Sequence, residues 1–368
     1  MFIEKLSLQN FRCFKNNSFK FEKPIILIEG KNGSGKTTLL EALHYCCFLK
    51  SFRSGGTKKI VSHDDKHMFS HVSFKNLETN SLNQIQVGTS FENGPQKKLV
   101  KLNERPIKSH KEIIKDYRVI SLTEDDLDLV QGSPEIRRIF LNQLLVLIDP
   151  EFITQFRKYK QILENRNKVI SSFLSLTQDF KDELKIWTEQ LWNQSRIIQK
   201  KRVGHLKELQ QEVNDLIKNY FDSQFIVKFE YKIKNGANKR NLTDFWNFYQ
   251  EKLIEEEINK RYSVFGPHSD DFSITFHKAN ARYFASRGQQ KIISFLLKIA
   301  LQKMMQRVGQ NPPLLLDDFF TDFDSDRLSK CLCLLNDLSC QVFLTCPIAN
   351  FLNGFMDFGE GRVQTLRL

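Results

Sequence analysis

The chain reads as an α/β fold whose sheet-and-helix head is supplied by both ends of the sequence, with a helical lobe set between them. Three observations predict this. The apolar run Ile25, Ile26, Leu27, Ile28 passes through a glycine-rich loop into a segment with helical spacing. Between about residue 133 and residue 220 the apolar residues change from two-residue alternation to steps of three and four. Near the C-terminus a second apolar run, Leu314 to Leu316, ends in the adjacent carboxylates Asp317 and Asp318. A strand covered on both faces needs a continuous apolar run, whereas helical spacing lays one apolar stripe against a core.

The first strand is marked by Phe2, Ile3, Leu6 and Leu8 and runs to Asn10, Phe11 and Arg12; Phe19 and Phe21 alternate in the next. After the buried run at residues 25–28, Thr37 to Lys50 reads as a helix, with Leu39, Leu40 and Leu43 on one side and a stop at Ser51 to Gly56. Val61 to Lys108 alternates and turns often, which predicts an antiparallel sheet with Asn93, Gly94 and Pro95 as a hairpin turn. Ser133, Pro134 and Glu135 form a helix start with a cap ahead of an N1 proline. Trp187, Leu191 and Ile198, then Leu206, Leu209, Val213, Leu216 and Ile217, continue the helical period as a lobe of about four helices. No heptad array is long enough for an extended coiled-coil arm. A further helix carries Ile293, Leu296, Leu297, Ala300 and Met304, a helix begins near Ser325, and Gln341 to Thr345 is the last expected strand. The expected division is residues 1–125 and 261–368 as the two parts of the head, and residues 126–260 as the helical lobe.

The content is 40% hydrophobic and 27% charged, so the chain can bury a full core. Lys+Arg number 55 against 43 Asp+Glu, a net charge of +12, which favours a polyanionic partner, nucleic acid ahead of lipid. The N-terminus lacks a signal-peptide plan, and no stretch nears the roughly 18 apolar residues of a membrane span. The seven cysteines carry no Cys-x-x-Cys spacing, which suits reduced thiols and a cytoplasmic location. His63, His67 and His71 resemble metal ligands by spacing, but the segment is expected to enter the antiparallel sheet.

Gly30, Lys31, Asn32, Gly33, Ser34, Gly35, Lys36 and Thr37 make the pattern Gly-x-x-x-x-Gly-Lys-Thr. Phosphate binding needs successive backbone N–H groups that converge, and glycines that allow close approach. The following helix adds the partial positive charge of its N-terminus. The expected ligand is ATP with Mg²⁺: Lys36 on the β- and γ-phosphates, Thr37 on the metal, and Thr38 and Arg12 beside them. Asp317, closing an apolar strand, is the second expected Mg²⁺ residue, and Asp318 the group that polarises the attacking water. Lys36, Asp317 and Asp318 are thus the candidate catalytic residues.

Spacing narrows the class. The carboxylates follow the loop only after a whole sheet and a helical lobe, a layout that resembles ABC-type and SMC-type ATPase heads. Such heads use a second motif, at a helix N-terminus, against the nucleotide of the opposite protomer. Ser286, Arg287, Gly288, Gln289, Gln290 and Lys291 fit it, with Ser286, Gly288 and Gln289 as the nucleotide-facing candidates.

Together with Leu8 to Arg12, Ser51 to Arg53, Asp126 to Pro134, Arg137, Arg138 and Gly266 to Asp271, these motifs resemble the bacterial RecF family of the SMC/ABC group over nearly the whole chain. The resemblance implies an ABC/SMC-type P-loop ATPase head with an antiparallel β subdomain and an inserted α-helical lobe. It also implies an ATP-dependent homodimer, weak DNA-stimulated ATP hydrolysis, and binding to double-stranded DNA near single-strand gaps. The implied partners are RecR and RecO, and the implied outcome is help in loading the RecA recombinase. By the same analogy Ser286 acts on the partner's nucleotide, and Thr321 to Asp324 form a loop that touches it. The sequence departs from the family in Asp322, where Glu is usual, and in Ser269, where Arg is usual. Thr345 stands where transporters carry a switch histidine, so it can only hydrogen-bond. Three competing expectations are a related SMC/ABC-type repair ATPase, a scaffold that holds ATP without hydrolysing it, and a nucleoside or small-molecule kinase. The late carboxylates and the Ser286 motif argue against the kinase.

Overall fold

A computed structural model of the chain describes residues 1–53, 59–62, 65–76, 79–91, 97–107, 109, 111–149, 151–175, 177–221, 225–235, 239, 241–321, 323–346 and 361–368. In chain order the elements begin β1 (Phe2–Phe11), β2 (Phe14–Lys20), β3 (Ile25–Glu29), α1 (Lys36–Phe48), β4 (His67–Lys75), β5 (Leu82–Ser90) and β6 (Lys97–Leu102). β7 (Arg105–Pro106), α2 (Lys111–Asp116), β8 (Ile120–Leu122), α3 (Asp128–Gln131), α4 (Pro134–Ile148), α5 (Phe152–Ser171) and α6 (Gln178–Tyr220) follow. Next come β9 (Val227–Lys232), α7 (Leu242–Lys252), α8 (Ile254–Lys260), β10 (Asp271–Phe276), β11 (Ala279–Asn280), α9 (Ala281–Phe284) and α10 (Arg287–Arg307). β12 (Leu314–Leu316), α11 (Ser325–Asn336), β13 (Val342–Cys346) and β14 (Val363–Arg367) complete the chain.

Contacts divide the chain into two units: Met1–Asp126 with Met305–Leu368, and Leu127–Met304. The first unit holds two sheets. One is antiparallel, in the order β2-β1-β4-β5-β6-β7; the other is parallel, in the order β14-β3-β13-β12-β8. Every residue of β3, β12 and β13 is buried, the apolar runs together with Glu29 and Thr345 at the C-terminal ends of β3 and β13. Ile3, Leu6, Leu8, Val72, Phe74, Ile85 and Val87 point from the antiparallel sheet into the same core as Leu39, Leu40 and Leu43 of α1. Gln341 joins the sheets: its Oε1 accepts the Ile3 N–H at 2.7 Å, and its Nε2 donates to the Ile3 carbonyl at 3.0 Å.

The second unit contains α5 packed on α6, and the three-stranded sheet β11-β10-β9. Residues 134–220 form three helices, not about four, because the two apolar series around Trp187 and Leu206 belong to a single 43-residue helix. Gly204 lies inside it without ending it, and a Cβ there would meet nothing within 4 Å. Residues 261–304, grouped by sequence with the head, make their contacts in the second unit. The cause is local: β10 pairs along its whole length with β9, and Arg137 on α4 donates twice to Asp271, at 2.9 and 3.0 Å. The expected turn at Asn93 to Pro95 lies outside the described residues. No helix among the described residues is long and apolar enough to cross a membrane.

Candidate functional site

The strand order explains why residues far apart in sequence meet. β13 lies between β3, which feeds the glycine-rich loop, and β12, which ends in the paired carboxylates. The three are parallel and in register, so their C-terminal ends open on one side of the sheet. A cleft of about 450 Å³ forms there, lined among others by Asn32, Thr37, Arg53, Asp317, Asp318 and Thr321.

The loop is shaped by steric need. Gly33 and Gly35 have φ of 84° and 107°, and a Cβ on Gly35 would come within 2.9 Å of the Phe14 ring and 3.0 Å of Cys13 Sγ. A Cβ on Gly30 would collide with Ser34 Oγ and lie 2.9 Å from the Leu368 carbonyl. Lys36 is buried, and its Nζ donates to the carbonyls of Gly30 at 2.9 Å and Lys31 at 3.3 Å. The ammonium is thereby held inside the loop at the first turn of α1. Lys31, Asn32 and Gly33 are exposed, Thr38 is buried, and Ser34 Oγ is buried with no hydrogen-bond partner among the described residues. A side-chain-free cradle, a tethered cation and an orphaned hydroxyl at a helix N-terminus fit a nucleotide phosphate.

Thr37 Oγ1 donates to Asp317 Oδ1 at 2.9 Å, although 280 residues separate them. Thr345 Oγ1 accepts the Asp318 N–H at 2.7 Å and lies 3.2 Å from Asp317 Oδ1 and 3.1 Å from Asp318 Oδ1. With one hydrogen, this hydroxyl can serve only one carboxylate at a time. Asp318 has a φ of 44°, an uncommon conformation for a non-glycine residue. Burial and the neighbouring Asp318 charge push the Asp317 carboxyl above its usual range, against the Thr37 and Thr345 hydrogen bonds and the Arg53 charge. Two adjacent carboxylates with a hydroxyl in place suit a divalent cation, to which Thr37 and Asp317 would be the protein ligands. Among the described residues no group of three His, Cys, Asp or Glu side chains has metal-site geometry, so phosphate and water would complete that shell. His63 lies outside the described residues.

The carboxylates are anchored behind by Phe319, Phe320 and Phe323, buried rings in edge contact with one another at centroid separations of 5.5 to 5.8 Å. Asp324 accepts the Arg327 N–H and caps α11; Asp322 lies outside the described residues.

Arg12, expected beside the nucleotide, forks onto Glu41, with Nη2 2.7 Å from Oε1. Glu41 is fully buried on α1, also accepts from Ser51 Oγ, and lies 3.8 Å from Arg53 Nη1. Glu41 was not singled out from sequence. Its signal was its position in the apolar stripe of α1, where an unpaired carboxylate would be too costly to keep.

Ser286, Gly288 and Gln289 belong to the second unit. Ser286 N–H donates to Gln289 Oε1 at 2.8 Å, and Gln289 N–H to Ser286 Oγ at 3.3 Å, a reciprocal capping box at the start of α10. Ser286 is exposed, as are Tyr283 and Phe284 just before it. In the Gly266–Asp271 motif, Gly266 has a φ of 117° and its Cβ position faces Tyr159 Oη at 2.9 Å. Ser269 Oγ donates to the Gly266 carbonyl at 2.8 Å and closes the turn.

Fold and cleft together have the architecture of a P-loop, ABC/SMC-type head, and the chain belongs to the AAA domain family, whose family model matches residues 5–221. Its relatives over nearly the full length include RecF proteins. It is 29% identical to the DNA replication and repair protein RecF of Natranaerobius thermophilus, covering 100% of this chain and 96% of the relative. To RecF of Clostridium acetobutylicum it is 25% identical, covering 100% and 99%. In fold it matches the recombination mediator protein RecF with ATP, of the RecFOR pathway, at a TM-score of 0.79 and 24% identity over 95% of this chain and 93% of that one. The Smc head domain of Pyrococcus furiosus matches at 0.55 and 15% identity, over 94% and 90%. The resemblance read from the motifs thus extends along the whole chain.

Proposed function

We propose that this chain is an ATP-dependent, DNA-binding recombination mediator of the RecF type that acts in DNA repair and replication. The observation that carries this reading is the meeting of Thr37, Asp317 and Asp318 in one cleft, with Lys36 held in the adjoining loop and Thr345 spanning the two carboxylates. Gly30 to Thr38 hold the nucleotide, Lys36 neutralises its terminal phosphates, and Thr37 and Asp317 hold Mg²⁺. ATP and Mg²⁺, when bound, supply the transferable phosphoryl group and the cation that offsets its charge. Asp318 accepts a proton from the attacking water, and Thr345 fixes the direction of its carboxylate. Because a hydroxyl does this where an imidazole could also exchange a proton, turnover is slow.

The protein works as a homodimer, with Ser286, Gly288 and Gln289 of one protomer meeting the nucleotide of the other. Only the nucleotide-bound state supplies attraction on both faces, so binding selects the dimer and hydrolysis releases it. The dimer binds double-stranded DNA beside single-strand gaps, cooperates with RecR and RecO, and promotes RecA loading in the cytoplasm. The likeness to RecF proteins of DNA replication and repair, and to the recombination mediator RecF of the RecFOR pathway, supports this reading. Gapped-duplex binding, measured with and without ATP across a salt series, tests it. The expected result is a steep salt dependence seen only with ATP; binding indifferent to nucleotide would count against it.

A further inference from the structure

Strand alternation gives the antiparallel sheet of the first unit a core face and an outward face of different chemistry. The outward positions carry Lys20 on β2, Lys5 on β1, Lys75 on β4, and Lys101 and Lys97 on β6, interspersed with Ser, Asn and Gln and with the apolar Phe2, Phe69, Leu82 and Leu99. No carboxylate occupies an outward position in the registered part of these strands. Lys5 and Lys20 are direct cross-strand partners, an arrangement of like charges that disfavours the sheet unless an anion lies over it. None of the five lysines makes an ion pair among the described residues. A cavity of about 820 Å³ opens on this face and is lined by Lys5, Lys20, Lys75 and His71, with Glu4 and Glu22 also on its wall. His71 Nε2 is buried there without a hydrogen-bond partner among the described residues.

We infer that this sheet face is a docking surface for the phosphodiester backbone of duplex DNA, distinct from the nucleotide cleft. From β2 to β6 the face spans four strand spacings, roughly 19 Å. A duplex presents one charge per roughly 1.7 Å of axis, so about eleven phosphate charges cross that width. Phe2 and Phe69, on different strands, are the outward phenylalanines, a sparse stacking surface for a single strand, while the lysines and amides suit a repeating backbone. The inference rests on the DNA-binding reading above and names the surface that makes the contact.

The test uses the full chain with ATP and Mg²⁺, and a fluorescent random-sequence duplex titrated at several salt concentrations. The combined variant Lys5→Ser, Lys20→Ser, Lys101→Ser is compared with Lys158→Ser, Lys207→Ser, Lys218→Ser, which removes three exposed lysines elsewhere. The log–log salt slope should fall by about 2.7 for the first variant, with at least a roughly tenfold loss of affinity near 0.1 M salt. The second should match the parent. Binding of a fluorescent ATP analogue checks folding, and Lys101→Ser alone, with a slope loss of about 0.9, serves if the triple variant misfolds. An unchanged slope overturns the docking face but leaves the DNA-binding reading standing. A parent that binds no duplex overturns both. A defect confined to single-stranded DNA, or to vesicles of phosphatidylglycerol, overturns the duplex assignment.

Discussion

Two aspartates, one in each unit, are pushed upward in pKa by burial, yet they sit in opposite kinds of surroundings. Asp270 is fully buried and saturated: Gln199 Nε2 donates at 2.7 Å, Tyr231 Oη at 3.0 Å and the Lys234 N–H at 3.0 Å, with Arg202 adding a favourable charge. Asp317 is half-buried, receives only hydroxyls, and has a second carboxylate as its neighbour. Nearby, Glu257 shows the saturated pattern again, accepting from Arg166, Tyr249 and the Val264 N–H. The second unit therefore spends its buried charges on structure. The cleft leaves its own incompletely neutralised, and that residual demand is what a cation and a nucleotide would meet.

Substitutions can break this contrast at either end. Asp318→Asn keeps shape and removes the proton acceptor, so the steady-state ATPase rate should fall by a factor of about 10² to 10⁴ while nucleotide affinity stays near that of the parent. Arg166→Met leaves Glu257 buried and unpaired, and denaturant unfolding should register a loss of about 3–5 kcal/mol without any change in ATP affinity at permissive temperature.

Asp317→Asn should act in two directions. Its carboxylate has a raised folded-state pKa, so the ionised form costs stability above that pKa, and the cost is relieved as pH falls through it. The amide removes the cost, so the midpoint of thermal unfolding without nucleotide should rise at neutral pH and lose its dependence on acidification through this group. The same variant should forfeit the stabilisation given by saturating ATP and Mg²⁺, which is about 2.7 kcal/mol at a hundredfold excess over Kd. The smallest effect lies on the exposed side of α6: Gly204→Ala, where an added Cβ meets nothing, should stabilise the helix by about 0.5–1 kcal/mol in the same unfolding assay.

Much of the cleft was legible in the sequence because its parts are local. A glycine loop between a strand and a helix, and an apolar run ending in carboxylates, are each contained within a dozen residues. Their meeting depends on strand order, which two-residue periodicity does not encode; β13 between β3 and β12 is a property of the folded sheet. Glu41 stayed hidden because its partners Arg12 and Arg53 are remote in sequence. The helix count in residues 134–220 was too high because the apolar series around Trp187 and around Leu206 were read apart, although both lie on one helix packed on α5. The placement of residues 261–304 followed motif order, whereas the chain follows the pairing of β9 with β10.

The central claim is that Gly30 to Thr37 form half of a composite site completed by Ser286 of a second copy. Sedimentation with and without ATP and Mg²⁺, on the parent and on Ser286→Arg, tests it most directly. The account predicts a doubling of mass on adding ATP to the parent, and a variant that binds ATP but stays a monomer. A mass independent of nucleotide in the parent, or a variant that dimerises as well as the parent, would contradict it.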